Sequence, residues 1–328
     1  MSKPFISICI PSYNRGHRAL KLVEELLNYT YDETVEIVVS NNGSTKNTEG
    51  YKKIKAMEDD RIVYHEFDEN HQFYGNLNQV IKMSNGEFCM LLSDEDRIDI
   101  EVFNHCLNIL SQNRHLGLLR ARTTVNYPFC ENCYSKAGEE AIESFYLVGN
   151  YISGIFYNRS VVTNELVDEL HERYVDEKAY YYYPHMFIET YIELAADIYM
   201  FEELLILEGE AEDDGEKSNS NGKVLKYASY EERLEQNKGF LKQICDLAII
   251  NKLKLRMFIF VCSKTISVIK LSKKSYINQG CDWNEIVSKV RDRLVSDARM
   301  CNIEVIVSNL NEIIPVIDEL VDDLNKDD

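Results

Sequence analysis

The sequence predicts an α/β fold, a mostly parallel sheet flanked by helices, followed by an α-helical C-terminal region. Three observations carry this. Strand-like and helix-like segments alternate through the first hundred residues, the pattern of right-handed βαβ units. Each strand there runs into a polar loop, and such sheets bind ligands outside the carboxyl ends of their strands. Beyond about residue 223 the apolar spacing is purely helical.

Phe5, Ile6, Ile8, Cys9 and Ile10 form an apolar run of strand length stopped by Pro11, and Ser12-Tyr13-Asn14-Arg15-Gly16 follows as a loop. Ala19, Leu20, Val23, Leu26 and Leu27 then recur at helical spacing. The β-branched stretch 35–39 is a second strand, ending in Ser40-Asn41-Asn42-Gly43-Ser44-Thr45. A weak helix over 52–57 precedes a third strand over 61–65, and Leu77, Val80 and Ile81 mark a short helix over 74–83. The turn signal Asn85-Gly86 introduces the fourth strand, Phe88-Cys89-Met90-Leu91-Leu92.

At the carboxyl end of that strand stand Asp94, Glu95 and Asp96. Packing has no use for them there. Crowded carboxylates raise one another's pKa unless positive charge sits between them. A hard divalent cation carrying a phosphate supplies that charge, and oxygen ligands suit Mg²⁺ or Mn²⁺. A solvated acidic turn is the plainer use of such a triplet. The loops 11–16, 40–45 and 93–97 all fall on one rim of the sheet, which favours the ligand.

Four segments in order, "ISICIPSYNR" (6–15), "VEIVVSNNGST" (35–45), "ENHQFYGNLNQVIKMSNGEFCMLLSDED" (69–96) and, more loosely, "GNYISGIFYNRS" (149–160), resemble the family 2 glycosyltransferases. The resemblance implies the GT-A fold, a Rossmann-like nucleotide-sugar-binding sheet. It implies a nucleotide-sugar donor at the sheet edge and a divalent metal, Mn²⁺ or Mg²⁺, on its diphosphate. Carried onto this chain, Pro11, Tyr13 and Arg15 line the nucleotide pocket. Asp94 and Asp96 end the DxD motif, with Asp94 near the ribose and Asp96 on the metal; Glu95 lies between them. The family places an acid where Asn41 and Asn42 stand. An asparagine carbonyl can still accept the imide N–H of uracil, as a neutral bond of roughly half the strength. Gln72-Phe73 stands where a glycine is common.

The family's acceptor base belongs to an acidic pair at a helix start. Here Pro184 suits the first turn of a helix, and Phe187, Ile188, Tyr191, Ile192 and Ala195 continue it. His185 falls at the position of the family's aspartate, and an imidazole titrates in the right range for a base. Glu189, one turn on, competes for the role, and Asp176 and Glu177 come next.

The reading is an inverting, metal-dependent glycosyltransferase moving a sugar, UDP-linked for preference, to a hydroxyl of a cell-surface glycan precursor; the acceptor is a glycan, a lipid-linked sugar or a protein. Two alternatives differ in class. One is a non-catalytic GT-A scaffold within a glycosylation complex, motivated by Asn41 and Asn42. The other is a sugar-phosphate nucleotidyltransferase, which lacks support because Pro11–Arg15 is not a glycine-rich GxGTR-like signature.

Strand-like 197–201 and 204–207 end the first domain, 1–207. The acidic, glycine-punctuated stretch 208–222 reads as a linker, and 223–328 as a helical region with helices over 230–247, 253–269, 283–295 and 313–324. Residues 252–274 hold Lys252, Lys254, Arg256, Lys264, Lys270, Lys273 and Lys274 and no acid. Such a stretch suits peripheral contact with an anionic membrane, and packing against the acidic remainder is its competing use. No span is long enough to cross a bilayer, and Met1-Ser2-Lys3-Pro4 leads straight into the first strand, so a cytoplasmic location, with contact at the inner membrane face, is expected. Nine cysteines, an odd number, some within core strands, fit reduced thiols. Cys130-Glu131-Asn132-Cys133 lacks the second ligand pair a four-ligand zinc site wants. A net charge of −19 disfavours nucleic acid as a partner, and none is expected.

Overall fold

A computed structural model describes residues 3–124, 131–149, 151–209, 224 and 226–326. The chain forms two compact units, Met1–Arg173 with Tyr183–Ala211, and Tyr174–Tyr182 with Glu212–Asp328.

In the first unit the elements run β1 (Ile6–Ser12), α1 (Gly16–Asn28), β2 (Val35–Asn41), α2 (Glu49–Lys55), β3 (Ile62–Glu66), α3 (Gln72–Met83), β4 (Phe88–Leu91), β5 (Arg97–Ile98), α4 (Ile100–Gln112), β6 (Leu116–Thr123), β7 (Cys133–Ser135), α5 (Glu139–Phe145), β8 (Ile155–Asn158) and α6 (Asn164–Tyr174). After α7 (Lys178–Tyr182), which belongs to the second unit, come α8 (Pro184–Ala195) and β9 (Asp197–Leu207). Nine strands of the described residues make one sheet in the order β3-β2-β1-β4-β8-β6-β9-β5, with β7 on β9. β1 to β4 are mutually parallel, β8 runs against β4 and β6, and β9 is parallel to β6. The α/β class and the parallel half are therefore as the sequence predicts.

Pro11 does not stop β1. The strand continues to Ser12, with Pro11 opposite Ser40. Cys9 accepts from Leu92 N, so alternation points the N–H that Pro11 lacks toward the β4 side, where the ladder has already ended at Leu91. The stretches expected as two strands over 197–207 form one, and register shifts against β6 around Arg122 absorb the irregularity. β1 and β2 are buried along their whole length because helices cover both faces. On α1, Ala19, Leu22, Val23 and Leu26 form the buried stripe, joined in the core by Ile8, Ile10, Val39 and Met90. Burial of each such large aliphatic side chain stabilises by about 1.5–3 kcal/mol.

The second unit holds α9 (Tyr230–Asp246), α10 (Asn251–Leu271), α11 (Lys273–Asn278), α12 (Trp283–Met300), α13 (Glu304–Ser308) and α14 (Leu310–Asp322). α7 packs against α9, where a Cβ on Gly239 would come within 2.9 Å of the Ala179 methyl, so the short helix goes with this unit. Ser229 caps α9 and Asp282 caps α12. Most of the acidic stretch 208–222 lies outside the described residues. Among the described residues no helix is long and apolar enough to cross a membrane.

Candidate functional site

The β1–α1 loop and the β4–β5 loop meet at the carboxyl rim of the sheet. Ser12 Oγ donates to Asp94 Oδ2 at 2.5 Å, and the Tyr51 hydroxyl lies 2.6 Å from Ser12 Oγ. Arg15 places Nε 3.3 Å from Asp94 Oδ1 and donates from Nη1 to Glu95 Oε2 at 2.8 Å, with Arg18 3.5 Å from the same oxygen. Asp94 is fully buried. Burial pushes its carboxyl above the usual range, and the Arg15 guanidinium opposes that shift; the same two effects act on Glu95. The positive charge among the acids is thus an arginine of the neighbouring loop. Pro11, expected to line a pocket, is instead buried inside β1, while Tyr13 is 37% exposed beside it.

Asp96 sits in its own cradle of donors. The Tyr151 hydroxyl lies 2.8 Å from each of its oxygens, Ser153 Oγ donates to Oδ2 at 2.5 Å, and Gly209 N–H donates to Oδ1 at 3.1 Å. A carboxylate offers roughly four acceptor sites, and the three donors Tyr151, Ser153 and Gly209 fill most of them. The backbone at Gly209 passes so close that a Cβ would lie 1.9 Å from the Glu95 carbonyl oxygen, so only glycine fits. The sequence reading in which the triplet has no structural duty is corrected here. The three acids diverge, and among the described residues no group of three or more His, Cys, Asp or Glu side chains could hold a metal. Cys130 lies outside the described residues, and Cys133 opens β7.

Asn41 and Asn42 are buried and engaged. Asn41 Oδ1 accepts from Ser44 N at 3.1 Å, and its amide donates to Glu66 Oε1 at 3.2 Å. Asn42 Oδ1 accepts from His71 N at 2.9 Å, and its amide donates to Asn70 Oδ1 and the Gln72 carbonyl. These side chains knit the β2–α2 loop to the β3–α3 loop, which corrects the expectation of a pair exposed to a base. Gly43 carries φ +62°, and a Cβ there would meet the Glu69 backbone at 2.3 Å. Gln72 adopts φ +62° as well, the left-handed conformation that explains a glycine preference at this point. Phe73, next to it, is 37% exposed.

The sequence places His185 and Glu189 on one helix face, and the structure does so on α8 with Pro184 at its start. Both are buried. The His185 ring lies edge-on to Tyr183, centroids 6.2 Å apart. Glu189 Oε2 is 3.3 Å from Arg120 Nη1, and Arg120 Nη2 donates to the Tyr151 carbonyl at 2.5 Å. Tyr151 thus joins the two predicted clusters: its hydroxyl holds Asp96, and its carbonyl holds the arginine that pairs with Glu189. Asp176 and Glu177 belong to the second unit, where Glu177 accepts from Lys242 Nζ. Arg120, Tyr151, Ser153 and Gly209 were not singled out from sequence. Tyr151 and Ser153 lie within the segment 149–160, the one local signal available.

One turn beyond Glu189, Glu193 is 2% exposed, and burial, reinforced by the Glu189 carboxylate, pushes its pKa well above 4.5. A raised folded pKa means the folded chain holds a proton that the unfolded chain releases. The associated stability is full below about pH 4.5 and is lost as pH rises toward the folded value. Glu193→Gln should therefore raise the melting temperature at pH 7–8 and leave it unchanged at pH 4, read by thermal unfolding across that range. A uniform loss at every pH would show that the carboxyl is not held protonated.

The fold is of the GT-A type. Residues 7–137 match the sequence model of glycosyl transferase family 2. The chain is 25% identical over 166 residues, half of this chain and 57% of the other, to a putative colanic acid biosynthesis glycosyl transferase, WcaA, of Escherichia coli K12. The chain spans just over half of that relative and smaller shares of the other curated relatives it matches. Its fold is similar to that of Staphylococcus aureus TarS residues 1–349 in complex with UDP-GlcNAc, with a TM-score of 0.63 at 14% identity over 97% of this chain and 88% of that one. A mannosyltransferase of Pyrobaculum calidifontis in complex with GDP-Man and Mn²⁺ matches with a TM-score of 0.50 at 12% identity over 99% and 88%.

Proposed function

We propose that this protein transfers a sugar, with inversion, from a nucleoside-diphosphate donor to a hydroxyl of a cell-surface glycan precursor. The observation that carries this reading is the buried Asp94, set at the β4 carboxyl end against Ser12 and Arg15 within a family 2 domain. The relative named for colanic acid biosynthesis supports the acceptor class. The TarS complex supports UDP as the first candidate, and the mannosyltransferase complex makes GDP the rival.

A divalent cation fits by donor chemistry. Asp94 Oδ1 is buried and accepts no hydrogen bond, facing Arg15 Nε. Mg²⁺-like ions at nucleotides need only one or two protein carboxylates besides phosphate and water, so divergent acids suffice. Asp94 and Asp96 would hold it, Asp96 by exchanging one of its present donors. When bound, the cation would neutralise charge on the departing diphosphate.

The chain's own residues orient the reaction. Asp94, held by Ser12, accepts from a donor hydroxyl, and exposed Tyr13 offers a face to the base. His185 takes the acceptor proton as that hydroxyl displaces the diphosphate directly. Glu189 is already committed to Arg120, which leaves His185 as the proposed base. Because His185 is buried, its covering residues must part when the acceptor enters. His185→Ala should lower turnover by a factor on the order of a hundred or more with donor affinity kept, and Glu189→Gln should fall short of that. The opposite ranking in steady-state assays would transfer the role to Glu189.

Thermal shift with UDP, dTDP and GDP, each with and without Mn²⁺, tests the reading. A ligand at a hundred times its Kd stabilises by about 2.7 kcal/mol. UDP with Mn²⁺ should give the largest shift. GDP ranking first would overturn the base assignment, and no shift with any nucleotide would overturn the function.

A further inference from the structure

α10 presents to solvent a stripe unlike the rest of this acidic chain. Lys252, Arg256, Phe260, Lys264, Ser267 and Leu271 follow one another at three- and four-residue spacing, one face of a helix. Its opposite face, with Met257, Phe258, Val261, Cys262, Ile266 and Ile269, is buried in the helical unit. The solvent face is therefore not the core-facing side of the amphipathic pattern. It nevertheless carries large apolar groups. Phe260 is 43% exposed and Leu271 is 74% exposed. Where α10 gives way to α11, Lys273 and Lys274 follow, and Ile277 is 50% exposed. From Leu247 to Cys281 the sequence contains no aspartate or glutamate, although the whole chain carries a net charge of −19.

Ordinary solvated helix faces mix both signs of charge, whereas this one sets only positive charge beside exposed phenylalanine and leucine. A basic face with protruding apolar side chains matches the interface of an anionic bilayer, where lysine and arginine meet phosphate headgroups and the apolar groups enter the acyl boundary. A nucleic acid would also meet the lysines, but the chain's overall charge repels it and nothing in the stripe calls for the aliphatic groups. We infer that the face of α10 and α11 running from Lys252 to Ile277 is a peripheral docking surface for membranes rich in anionic phospholipid. The inference is independent of the catalytic reading, since it uses only residues of the helical unit.

Sedimentation of the full chain with vesicles tests it, using phosphatidylglycerol–phosphatidylcholine mixtures against pure phosphatidylcholine. Binding should appear with phosphatidylglycerol, be absent with phosphatidylcholine alone, and weaken as salt rises from 50 to 500 mM. Each basic side chain near an anionic surface strengthens partition by about fivefold, so Lys252→Glu with Lys274→Glu should weaken it by at least about twentyfold. Leu271→Ser, at an exposed position that cannot disturb the core, should weaken binding severalfold and leave the melting temperature unchanged. No binding to phosphatidylglycerol, equal binding to both vesicles, or full binding by the charge-reversed variant with an unchanged melting temperature would each overturn the assignment. Nucleotide-induced thermal shifts in the same variants should stay at the level of the unmodified chain, which separates failure of this surface from failure of the donor site.

Discussion

Asp96→Ala should abolish metal-dependent nucleotide binding and lower the melting temperature in the same protein. The second half follows from the cradle. Removing the carboxylate leaves the Tyr151 hydroxyl, Ser153 Oγ and the Gly209 N–H without their shared acceptor. A hydrogen bond to a charged group contributes about 1.5–3 kcal/mol, and stranding its buried partner adds to the loss. The cost should thus be several kcal/mol, enough to move a thermal transition by many degrees. Asp96→Asn separates the two effects, because it keeps the shape and one carbonyl acceptor while removing the charge a cation needs. Calorimetry with Mn²⁺ and UDP on Asp96→Asn reads the metal role, and thermal unfolding of Asp96→Ala reads the structural one. Undiminished Mn²⁺-dependent binding in the first, or an unchanged transition in the second, would remove the corresponding role.

Arg120→Leu is expected to be the most destabilising single change at the heart of the first unit. The Arg120 side chain is 7% exposed, and its guanidinium pairs with an equally buried Glu189 and holds the Tyr151 carbonyl. Breaking a buried pair by removing one partner costs about 3–5 kcal/mol, because the remaining charge has lost its compensation. Here the remaining carboxylate also faces Glu193, whose own pKa is already raised by burial and by that neighbour. Urea unfolding should show the loss. The double variant Arg120→Leu with Glu189→Leu should recover much of it, since an apolar pair of similar volume can replace a buried ion pair. Arg120→Leu alone should also weaken nucleotide binding, because Tyr151 would lose the anchor that aims its hydroxyl at Asp96. Normal stability in Arg120→Leu would mean that the pair is not intact in solution. Gly149→Ala offers a milder approach to the same place, since a Cβ there would lie 1.5 Å from Arg120 Nη1.

The parallel half of the sheet was legible because its signals are local. Apolar runs of strand length, each followed by polar residues, place β1, β2, β3 and β4, and a helix between each pair forces parallel connections. The rim followed from the same logic, so the convergence of Arg15 on Asp94 and Glu95 has a basis in the sequence. The helical region was legible for the same reason, through apolar spacing over long stretches, although the short α11 and α13 were missed because one or two turns leave little periodicity to read. Asn41 and Asn42 show the limit. Their amide groups suit either a nucleobase or the backbone of an adjacent loop, and only the approach of residues 69–72 decides for the loop.

By itself the sequence determined the strands and helices of the first hundred residues and the long helices beyond residue 223, which loops share an edge, and that three acids stand there, since these depend on periodicity and on neighbours a few residues apart. Only the tertiary structure decided what each acid touches. Asp94 meets Ser12 from 82 residues upstream, and Asp96 meets Gly209 from 113 residues downstream. Glu189 meets Arg120 across a separation of 69 residues. A carboxylate's chemistry depends on the charges and donors within a few ångströms of it. Those are set by how distant segments pack, which no local pattern records.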